Sequence, residues 1–429
     1  MRKWTLALVS AVLAAGGARA VPTVKDVALA YEAGSKNAAM ITYTLEGGDA
    51  VVTIGLETNG VALPDGAATR FTGDVFKRVQ AGARSIAWDV VREWPEQQVS
   101  NVSVKVTAWA LDAPPPYLVA DLSAGAAAGP GAYPLRYYPS LAALPDGGLT
   151  NDLYRTERLL LRFIPAGTFY MGSLFHEPNR DVLREFLHRV TLTNSFYIGV
   201  YEVTQRQWER VMGSNPAGFK LDGATRPVEN VTYLKIREEN EAATLSWPGT
   251  GYQVGSESFM GRLRSRTGSD GFDLPTDAQW EYACKAGTLQ GFNIFGGVPL
   301  TNAATDANMD LAGRYLGNGG RSTDYGSAGM ATIPVEHATA KAGSYLPNAW
   351  GLYDMHGNVF EWTLDWYSEN LGTVPAVEPV GATSGTLRVV RGGSYYNNAG
   401  QARSAQRASF VPEGETRWHT GLRVLMLVR

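Results

Sequence analysis

The first part of the chain, from residue 21 to about residue 112, alternates apolar and polar residues with a period of two. The alternation is clearest in Val102–Trp109 and recurs in Val51–Leu56 and in Ala81–Asp89, where a turn leads into a strand. Such alternation is typical of strands with one buried face. Several strands at this spacing predict an all-β sandwich of the immunoglobulin or fibronectin-III type over residues 21–112. Because the segment contains no histidine or cysteine, we interpret it as a spacer or adhesion module.

The composition changes after residue 112. Three consecutive prolines at Pro114–Pro116 and an alanine- and glycine-rich run at residues 124–131 predict a linker over residues 113–155. The apolar stretch Leu159–Ile164 then predicts the first strand of a second domain, which extends over residues 156–429.

Helices are also expected in this second domain. Thr204 with Gln207, and Thr276 with Gln279, have the spacing of capping boxes, which mark helix N-termini. The apolar run at residues 421–428 predicts a buried closing strand. The chain as a whole is therefore predicted to be α+β, with the β-sandwich preceding a mixed domain.

Residues 1–20 have the pattern of a secretory signal peptide. Arg2 and Lys3 precede the apolar stretch Trp4–Ala15, and Ala18–Ala20 forms a small-residue cleavage motif. The apolar stretch is too short to span a bilayer. We therefore predict a secreted or periplasmic protein with no membrane segment after cleavage. The alternative is an uncleaved anchor.

Composition narrows the functional classes. The formal charge of −3 and the pI near 6.0 argue against a nucleic-acid-binding protein. The single cysteine, Cys284, excludes an intramolecular disulfide and a zinc site built on several cysteines. The five histidines are widely spread, and the chain has no phosphate-binding loop, dinucleotide motif or serine-hydrolase elbow.

A series of short motifs follows in a recognisable order from residue 164 onward. Together they resemble the formylglycine-generating enzyme family, also called sulfatase-modifying factors, over residues 156–429. The resemblance implies a fold similar to the C-type lectin fold, with sparse secondary structure and bound calcium. The motifs are Ile164–Ser173, Tyr201–Thr204, Pro227–Val231, Leu274–Ala283, Asn348–Trp362, Arg391–Tyr395 and Gly421–Arg423.

The resemblance implies one structural calcium ion within the Asn348–Trp362 motif. Asp354 and Glu361 are expected to supply side-chain oxygens, and Gly357 and Val359 are expected to supply backbone carbonyl oxygens. Two carboxylates that bracket a glycine also suit a hard cation on chemical grounds. The alternative is that these carboxylates cap turns and pair with arginines.

The resemblance implies a second calcium ion as well. Asn308 and the backbone carbonyl of Met309 are the expected ligands. Further ligands are expected in an insertion around Asp324 and Tyr325, for which the sequence offers no alignment. Oxygen-only ligands again favour calcium as the ion.

The resemblance breaks down at the catalytic positions. Active family members bind copper(I) through two cysteines, because soft thiolates select this ion. Here those positions are Asn397 and Ala402. The family's active-site serine is retained as Ser394. A tryptophan that stands beside the calcium ligands in the family is replaced by Phe360. We interpret Cys284 as a small core residue. Copper binding is therefore not expected.

The segment around the lost cysteines contains residue types that are enriched at binding surfaces. Lectin-like relatives of this fold use the same segment to bind partners. We therefore predict a binding face for an unidentified protein or glycan, and the alternative is that these side chains only stabilise an irregular core. The predicted face comprises Tyr395, Tyr396, Asn398, Arg403, Arg417 and Trp418.

Two functional hypotheses follow. The first is an exported binding or scaffold protein that lacks copper oxidase activity. The alternative is a sulfatase-modifying oxidoreductase that converts a substrate cysteine to formylglycine, or performs a related oxidation, by an altered mechanism. The loss of both cysteine positions favours the first hypothesis, and the retained Ser394 motivates the second.

Overall fold

The computed structural model shows a mixed α+β fold with many short strands and few helices, which confirms the predicted class. No helix within the described ranges is long and apolar enough to cross a bilayer. The predicted signal peptide lies outside those ranges. The structure describes residues 21–32, 37–63, 70–93, 101–238, 247–319, 337–413 and 418–428.

The N-terminal module consists of two antiparallel sheets. One has the strand order β1-β2-β7-β5, and the other has the order β4-β3-β6 with β8 paired to β3. A short helix, α1, follows β7 at Val90–Glu93. The strands are β1 (Thr23–Tyr31), β2 (Ala38–Glu46), β3 (Ala50–Thr58), β4 (Val61–Ala62), β5 (Phe71–Gly73), β6 (Lys77–Val79), β7 (Gly82–Asp89) and β8 (Val102–Trp109).

Alternation along these strands creates one shared core. In β2, Ile41, Tyr43 and Leu45 are buried and point to the same face. They join Val52 of β3 and Ile86 of β7 in a single hydrophobic cluster, so the two sheets pack on each other. The strands predicted at residues 51–56, 81–89 and 102–109 are present, and the immunoglobulin or fibronectin-III assignment stays a prediction.

Residues 113–155, which were predicted to be a linker, contribute two strands to a six-stranded sheet. Strand β9 (Tyr117–Asp121) pairs with β10 (Leu135–Tyr138) and also with β11 (Arg158–Ile164). This segment is therefore structural, because hydrogen bonds of the sheet and the shared core hold it in place. The proline- and glycine-rich composition reflects its turns.

Three sheets make up the C-terminal domain. Their strand orders are β10-β9-β11-β14-β21-β15, β12-β13-β17 and β19-β18-β16-β20. The remaining strands are β12 (Gly167–Met171), β13 (His188–Leu192), β14 (Phe196–Gly199), β15 (Phe272–Asp273), β16 (Phe360–Trp366), β17 (Ala376–Val377), β18 (Arg388–Arg391), β19 (Ala408–Phe410), β20 (Thr420–Gly421) and β21 (Leu425–Leu427).

Short helices cover these sheets. Both predicted capping boxes are present: Thr204 precedes α3 with its hydroxyl bound to the Gln207 N–H, and Thr276 precedes α6 with its hydroxyl bound to the Gln279 N–H. The helices are α2 (Leu153–Thr156), α3 (Gln205–Met212), α4 (Tyr233–Arg237), α5 (Phe259–Thr267), α6 (Asp277–Lys285) and α7 (Ala307–Ala312).

Candidate functional site

A tight loop at residues 354–359 leads into β16. Asp354, Gly357 and Asn358 adopt positive φ angles of 55°, 81° and 58°. A Cβ atom at Gly357 would collide with the carbonyl oxygen of Arg314, so the path of the loop requires glycine at this position. The loop brings the predicted calcium ligands into one short stretch of chain.

Glu361, at the start of β16, is buried and already has strong partners. The Arg423 guanidinium lies 2.7 Å from its Oε1, and the indole N–H of Trp280 donates to its Oε2 at 2.6 Å. All three side chains are buried. The alternative interpretation, in which Glu361 pairs with an arginine, is therefore realised in the structure.

Glu202 and Asp354 are the other buried carboxylates near this loop, and neither forms an ion pair within the described residues. Glu202 accepts hydrogen bonds from the side-chain amide of Asn358 at 2.6 Å and from the Val359 N–H at 3.2 Å. Asp354 Oδ2 accepts the Gly343 N–H at 2.6 Å, whereas Asp354 Oδ1 is buried without a hydrogen-bond partner among the described residues.

This burial changes the protonation of both groups. It raises the pKa of Asp354 to about 6. Burial also raises the pKa of Glu202 well above its ordinary value, and the nearby carboxylates of Asp354 and Glu361 add to this rise. Three buried carboxyl groups therefore lie near one buried guanidinium, that of Arg423, and their crowding disfavours ionisation of Glu202 and Asp354.

The excess of carboxyl groups and the unpartnered Asp354 oxygen fit a hard cation such as calcium, which would favour the ionised form of these groups. However, no three His, Cys, Asp or Glu side chains in the described ranges converge closely enough to hold a metal ion by themselves. An ion at this position would therefore depend on backbone carbonyl oxygens, as the sequence prediction for Gly357 and Val359 requires. The calcium assignment stays a prediction.

The two predicted ligands of the second calcium ion lie in the first turn of α7. Asp306 caps this helix, and its Oδ1 accepts the N–H groups of Asn308 at 2.8 Å and Met309 at 3.3 Å. The Met309 carbonyl accepts the Gly313 N–H at 3.1 Å. Residues 324–325 lie outside the described ranges, so this site also stays a prediction.

Ser394 lies in the turn that follows β18 and is buried. Its hydroxyl donates to Asn397 Oδ1 at 2.6 Å and accepts the Tyr396 N–H at 3.3 Å. Ala402 is buried, and its carbonyl accepts a hydrogen bond from His356 Nδ1 at 2.7 Å. An amide and a methyl group thus occupy the two positions at which the resemblance places copper-binding thiolates.

Cys284 lies on α6 and is completely buried. Its thiol donates to Asn293 Oδ1 at 3.3 Å, and its sulfur is 3.9 Å from His356 Nε2. Burial raises the pKa of Cys284 well above its ordinary value and lowers the pKa of His356 to about 4. A neutral imidazole beside a protonated thiol is not a reactive thiolate pair, so Cys284 serves as a core residue.

The two segments of the predicted binding face are connected through the loop before β16. The Tyr395 N–H donates to the Asn358 carbonyl at 2.8 Å, and the Phe360 N–H donates to the His419 carbonyl at 2.7 Å. Phe360 also packs edge-on against the ring of His419, with centroids 5.7 Å apart. The structure therefore anchors both predicted segments to residues 358–360, where this loop meets β16.

The side chains of the predicted face differ in their exposure to solvent. Tyr396 and Trp418 are each 51% exposed, and Asn398 is exposed as well. Tyr395, by contrast, is only 5% exposed; its ring packs edge-on against Phe219 and lies next to that of Tyr396, with centroids 6.3 Å apart. The accessible part of the face is therefore smaller than the sequence predicted.

Arg403 does not belong to this face. It is fully buried, and its guanidinium lies 2.6 Å from Glu177 and 2.8 Å from Glu185. The prediction was wrong because an arginine in a binding-type composition also matches a buried ion cluster. Arg417, another predicted member, lies outside the described residues.

Sequence reasoning missed Glu202, Trp280 and Arg423 as members of the site. Each stands inside one of the motifs that carried the family resemblance. For Glu202 and Arg423 the available signal was a charge inside an otherwise apolar motif, because a buried charge needs a partner. Trp280 carried no such signal.

Glu229 was also missed, and it lies close to Tyr395. Its Oε1 accepts the N–H groups of Gly218 at 2.6 Å and Phe219 at 2.9 Å, whereas its Oε2 is buried without a partner in the described residues. Burial raises the pKa of Glu229 to about 7, and its charge raises the pKa of Tyr395 beyond the effect of burial.

Comparison with known proteins gives consistent matches. The model of the sulfatase-modifying factor enzyme 1-like domain matches residues 156–427. The chaperone protein LppX of Paenibacillus barcinonensis is 31% identical over 239 residues, which cover 52% of this chain and 78% of that protein. The formylglycine-generating enzyme of Mus musculus is 27% identical over 258 residues, which cover 54% of this chain and 65% of that enzyme. Among solved structures, Treponema denticola variable protein 1 aligns with a TM-score of 0.44 and 25% identity, covering 63% of this chain and 95% of that one.

Proposed function

Because the chain belongs to the sulfatase-modifying factor family, we propose that it uses the family fold to bind a protein partner and does not oxidise a cysteine with copper. The observation that carries this proposal is the chemistry of the two copper positions. Asn397 and Ala402 offer no thiolate, and the single cysteine of the chain, Cys284, is buried with a raised pKa.

The exposed aromatic residues support a binding role. Tyr396 and Trp418 present large side chains to solvent, and tyrosine and tryptophan are the residue types that most often dominate binding energy at interfaces. A relative with 31% identity is named a chaperone, a class of protein that acts on other proteins. We therefore favour a protein partner over a glycan.

The proposal includes export. The pattern at residues 1–20 supports delivery to the periplasm or the extracellular space. In this scheme the N-terminal module, with its predicted immunoglobulin-like or fibronectin-III-like sandwich, spaces the binding face from a surface. Its apolar core supports a structural role.

Calcium is proposed as the structural ion of the loop before β16. Asp354 and Glu361 would contribute carboxylate oxygens and Gly357 and Val359 carbonyl oxygens, and the positive charge would balance the buried Glu202. Calcium is expected to raise the melting temperature, and Asp354→Asn is expected to reduce that rise. Magnesium serves as the control, because it tolerates irregular oxygen sites poorly. An equal rise in melting temperature for the natural chain and for Asp354→Asn on addition of calcium would contradict this assignment.

Asn308 and Met309 remain the proposed ligands of the second calcium ion.

Copper binding tests the central part of the proposal with a matched variant. The purified protein is titrated with copper(I) in competition with a chromophoric chelator, beside the double variant Asn397→Cys/Ala402→Cys. We expect no stoichiometric uptake by the natural chain and tight uptake by the double variant, because two thiolates are restored. Stoichiometric copper(I) binding by the natural chain would contradict the proposal.

Protein binding is tested with a displayed peptide library selected on the folded chain. Selected peptides are then measured against Tyr396→Ala/Trp418→Ala and against the control Tyr31→Ala, which removes a partly exposed tyrosine from the N-terminal module. An affinity loss of about tenfold or more is expected only for the double variant. Peptides that bind all three proteins equally would show that the face is elsewhere.

A further inference from the structure

A cavity of about 350 Å³ lies where the N-terminal module meets the C-terminal domain. Strands β3 and β6, residues 111–114, strand β10 and the end of β21 contribute its walls. It shares no lining residue with the loop before β16 or with the binding face. Its volume is at the lower end of the range for small-molecule sites, which often occur between domains.

Hydrogen bonds between the surrounding segments fix the walls of the cavity. The Tyr137 N–H donates to the Phe76 carbonyl at 2.8 Å, which joins β10 to the N-terminal module. The Tyr197 hydroxyl donates to the Pro115 carbonyl at 2.5 Å. A pre-formed cavity of this kind lowers the ordering cost of binding.

The lining combines apolar and polar side chains, and its charges are not balanced. Two cations, Lys77 and Arg78, and one anion, Asp270, line the cavity. Lys77 is paired with Asp74 at 3.2 Å. Arg78 forms no ion pair with any residue that the structure describes, and it therefore offers a free guanidinium.

Tyr137 provides a second hydrogen-bond donor in the cavity, beside the Arg78 guanidinium. Its side chain lines the cavity, and its hydroxyl makes no hydrogen bond with the described residues. Burial raises the pKa of Tyr137, and Arg78 is close enough to oppose that rise. A guanidinium and a phenol are both donors to a carboxylate, and the guanidinium can donate two parallel bonds.

We propose that this cavity binds a small amphipathic carboxylate. The carboxylate accepts hydrogen bonds from Arg78 and Tyr137, and the hydrocarbon part packs against apolar side chains of both regions. These apolar side chains are Val51, Leu111, Leu135 and Met426.

Calorimetric titration of the full chain with octanoate tests this proposal. Octanol supplies the same chain without the charge, and acetate supplies the charge without the chain. We expect saturable binding of octanoate, with at least about tenfold weaker binding of each comparison compound, because each of them lacks one half of the recognition. Absence of saturable octanoate binding would overturn the proposal.

Variants locate the binding site. Arg78→Gln is expected to weaken octanoate binding about tenfold, and Tyr137→Phe is expected to weaken it less, because one neutral donor is lost instead of a charged pair. Arg84→Gln is the matched control: Arg84 is a partly exposed arginine on β7, outside the cavity, whose guanidinium contacts local backbone carbonyls. Equal binding by Arg78→Gln and Arg84→Gln would contradict the proposed site.

Discussion

In the described part of residues 21–112, Thr53 is the only buried side chain that is polar or charged, whereas the C-terminal domain buries arginines and carboxylates throughout. Arg391 is fully buried against Asp277 and Glu281, and Arg423 is fully buried against Glu361. The N-terminal module is therefore held by apolar packing between regular sheets, and the C-terminal domain by ion pairs between irregular segments.

This difference shows how a loop-rich domain can have a single conformation with little regular structure. Backbone groups outside helices and strands need other partners when they are buried. A buried arginine provides five donors, and several of these bind carbonyl groups: Arg391 contacts the carbonyls of Ser404 and Gln406 in addition to its carboxylates. The arginines thus replace part of the hydrogen bonding that sheets provide in the N-terminal module.

The largest effect is expected from Arg403→Met. Removal of this guanidinium leaves Glu177 and Glu185 buried without their partner, which is expected to lower the free energy of unfolding by about 3–5 kcal/mol. Urea denaturation measures the loss. Arg184→Met, which breaks exposed pairs in the same domain, is the control and should have little effect. Similar effects of the two substitutions would refute the role assigned to buried ion pairs.

Ile86→Ala tests how much apolar packing stabilises the N-terminal module. Ile86 is fully buried on β7, and its truncation is expected to cost about 2–5 kcal/mol. Val119 and Tyr138 of the six-stranded sheet belong to the same hydrophobic cluster as Ile86. Hydrogen exchange should therefore show reduced protection in both regions. Loss confined to the N-terminal strands would mean that the two regions unfold independently.

Glu229→Gln tests whether the buried carboxyl group of Glu229 makes the stability of the C-terminal domain depend on pH. Burial raises the pKa of Glu229 from 4.5 to about 7, so the native state keeps a proton that the unfolded chain releases between these values. The stability contributed by this group is intact below pH 4.5 and is lost as the pH rises toward 7, by at most about 3 kcal/mol. Denaturation at pH 5 and pH 8 should show a smaller pH-dependent loss for Glu229→Gln than for the natural chain. Identical pH dependence would exclude the assignment.

The smallest effect is expected from Lys25→Met in the N-terminal module. Lys25 pairs with Glu46 at 2.6 Å, but both side chains are about half exposed and the pair is screened by solvent. The melting temperature of Lys25→Met should equal that of the natural chain within measurement error. Added salt should change the two melting temperatures by the same amount. A clear loss of stability would show that the N-terminal module also depends on ion pairs.

The same contrast explains what could be predicted from the sequence. Alternation located β3, β7 and β8 because apolar packing leaves a period-two pattern in the sequence. Capping boxes located α3 and α6 because a side chain bonds the backbone at a fixed spacing. Residues 113–155 were misjudged, because a turn-rich composition says nothing about pairing with the distant strand β11.

For the candidate site, motif resemblance located the loop that contains Asp354 and Glu361, but it did not reveal their partners. Arg423 is 62 residues from Glu361 in the sequence, and no local pattern encodes that pairing. Arg403 shows the opposite error: its residue type suggested a surface contact, whereas its partners, Glu177 and Glu185, lie more than 200 residues away and bury it.

The most direct test of the proposed lack of copper oxidase activity is an oxidation assay on the purified chain. The protein is incubated with copper, oxygen, a reductant and a peptide that carries the Cys-x-Pro-x-Arg motif expected for family substrates, and the peptide mass is then measured. The formylglycine-generating enzyme of Mus musculus serves as the positive control. We predict that the control converts the cysteine and that this chain leaves it unchanged. Conversion of the cysteine to formylglycine by this chain would contradict the account.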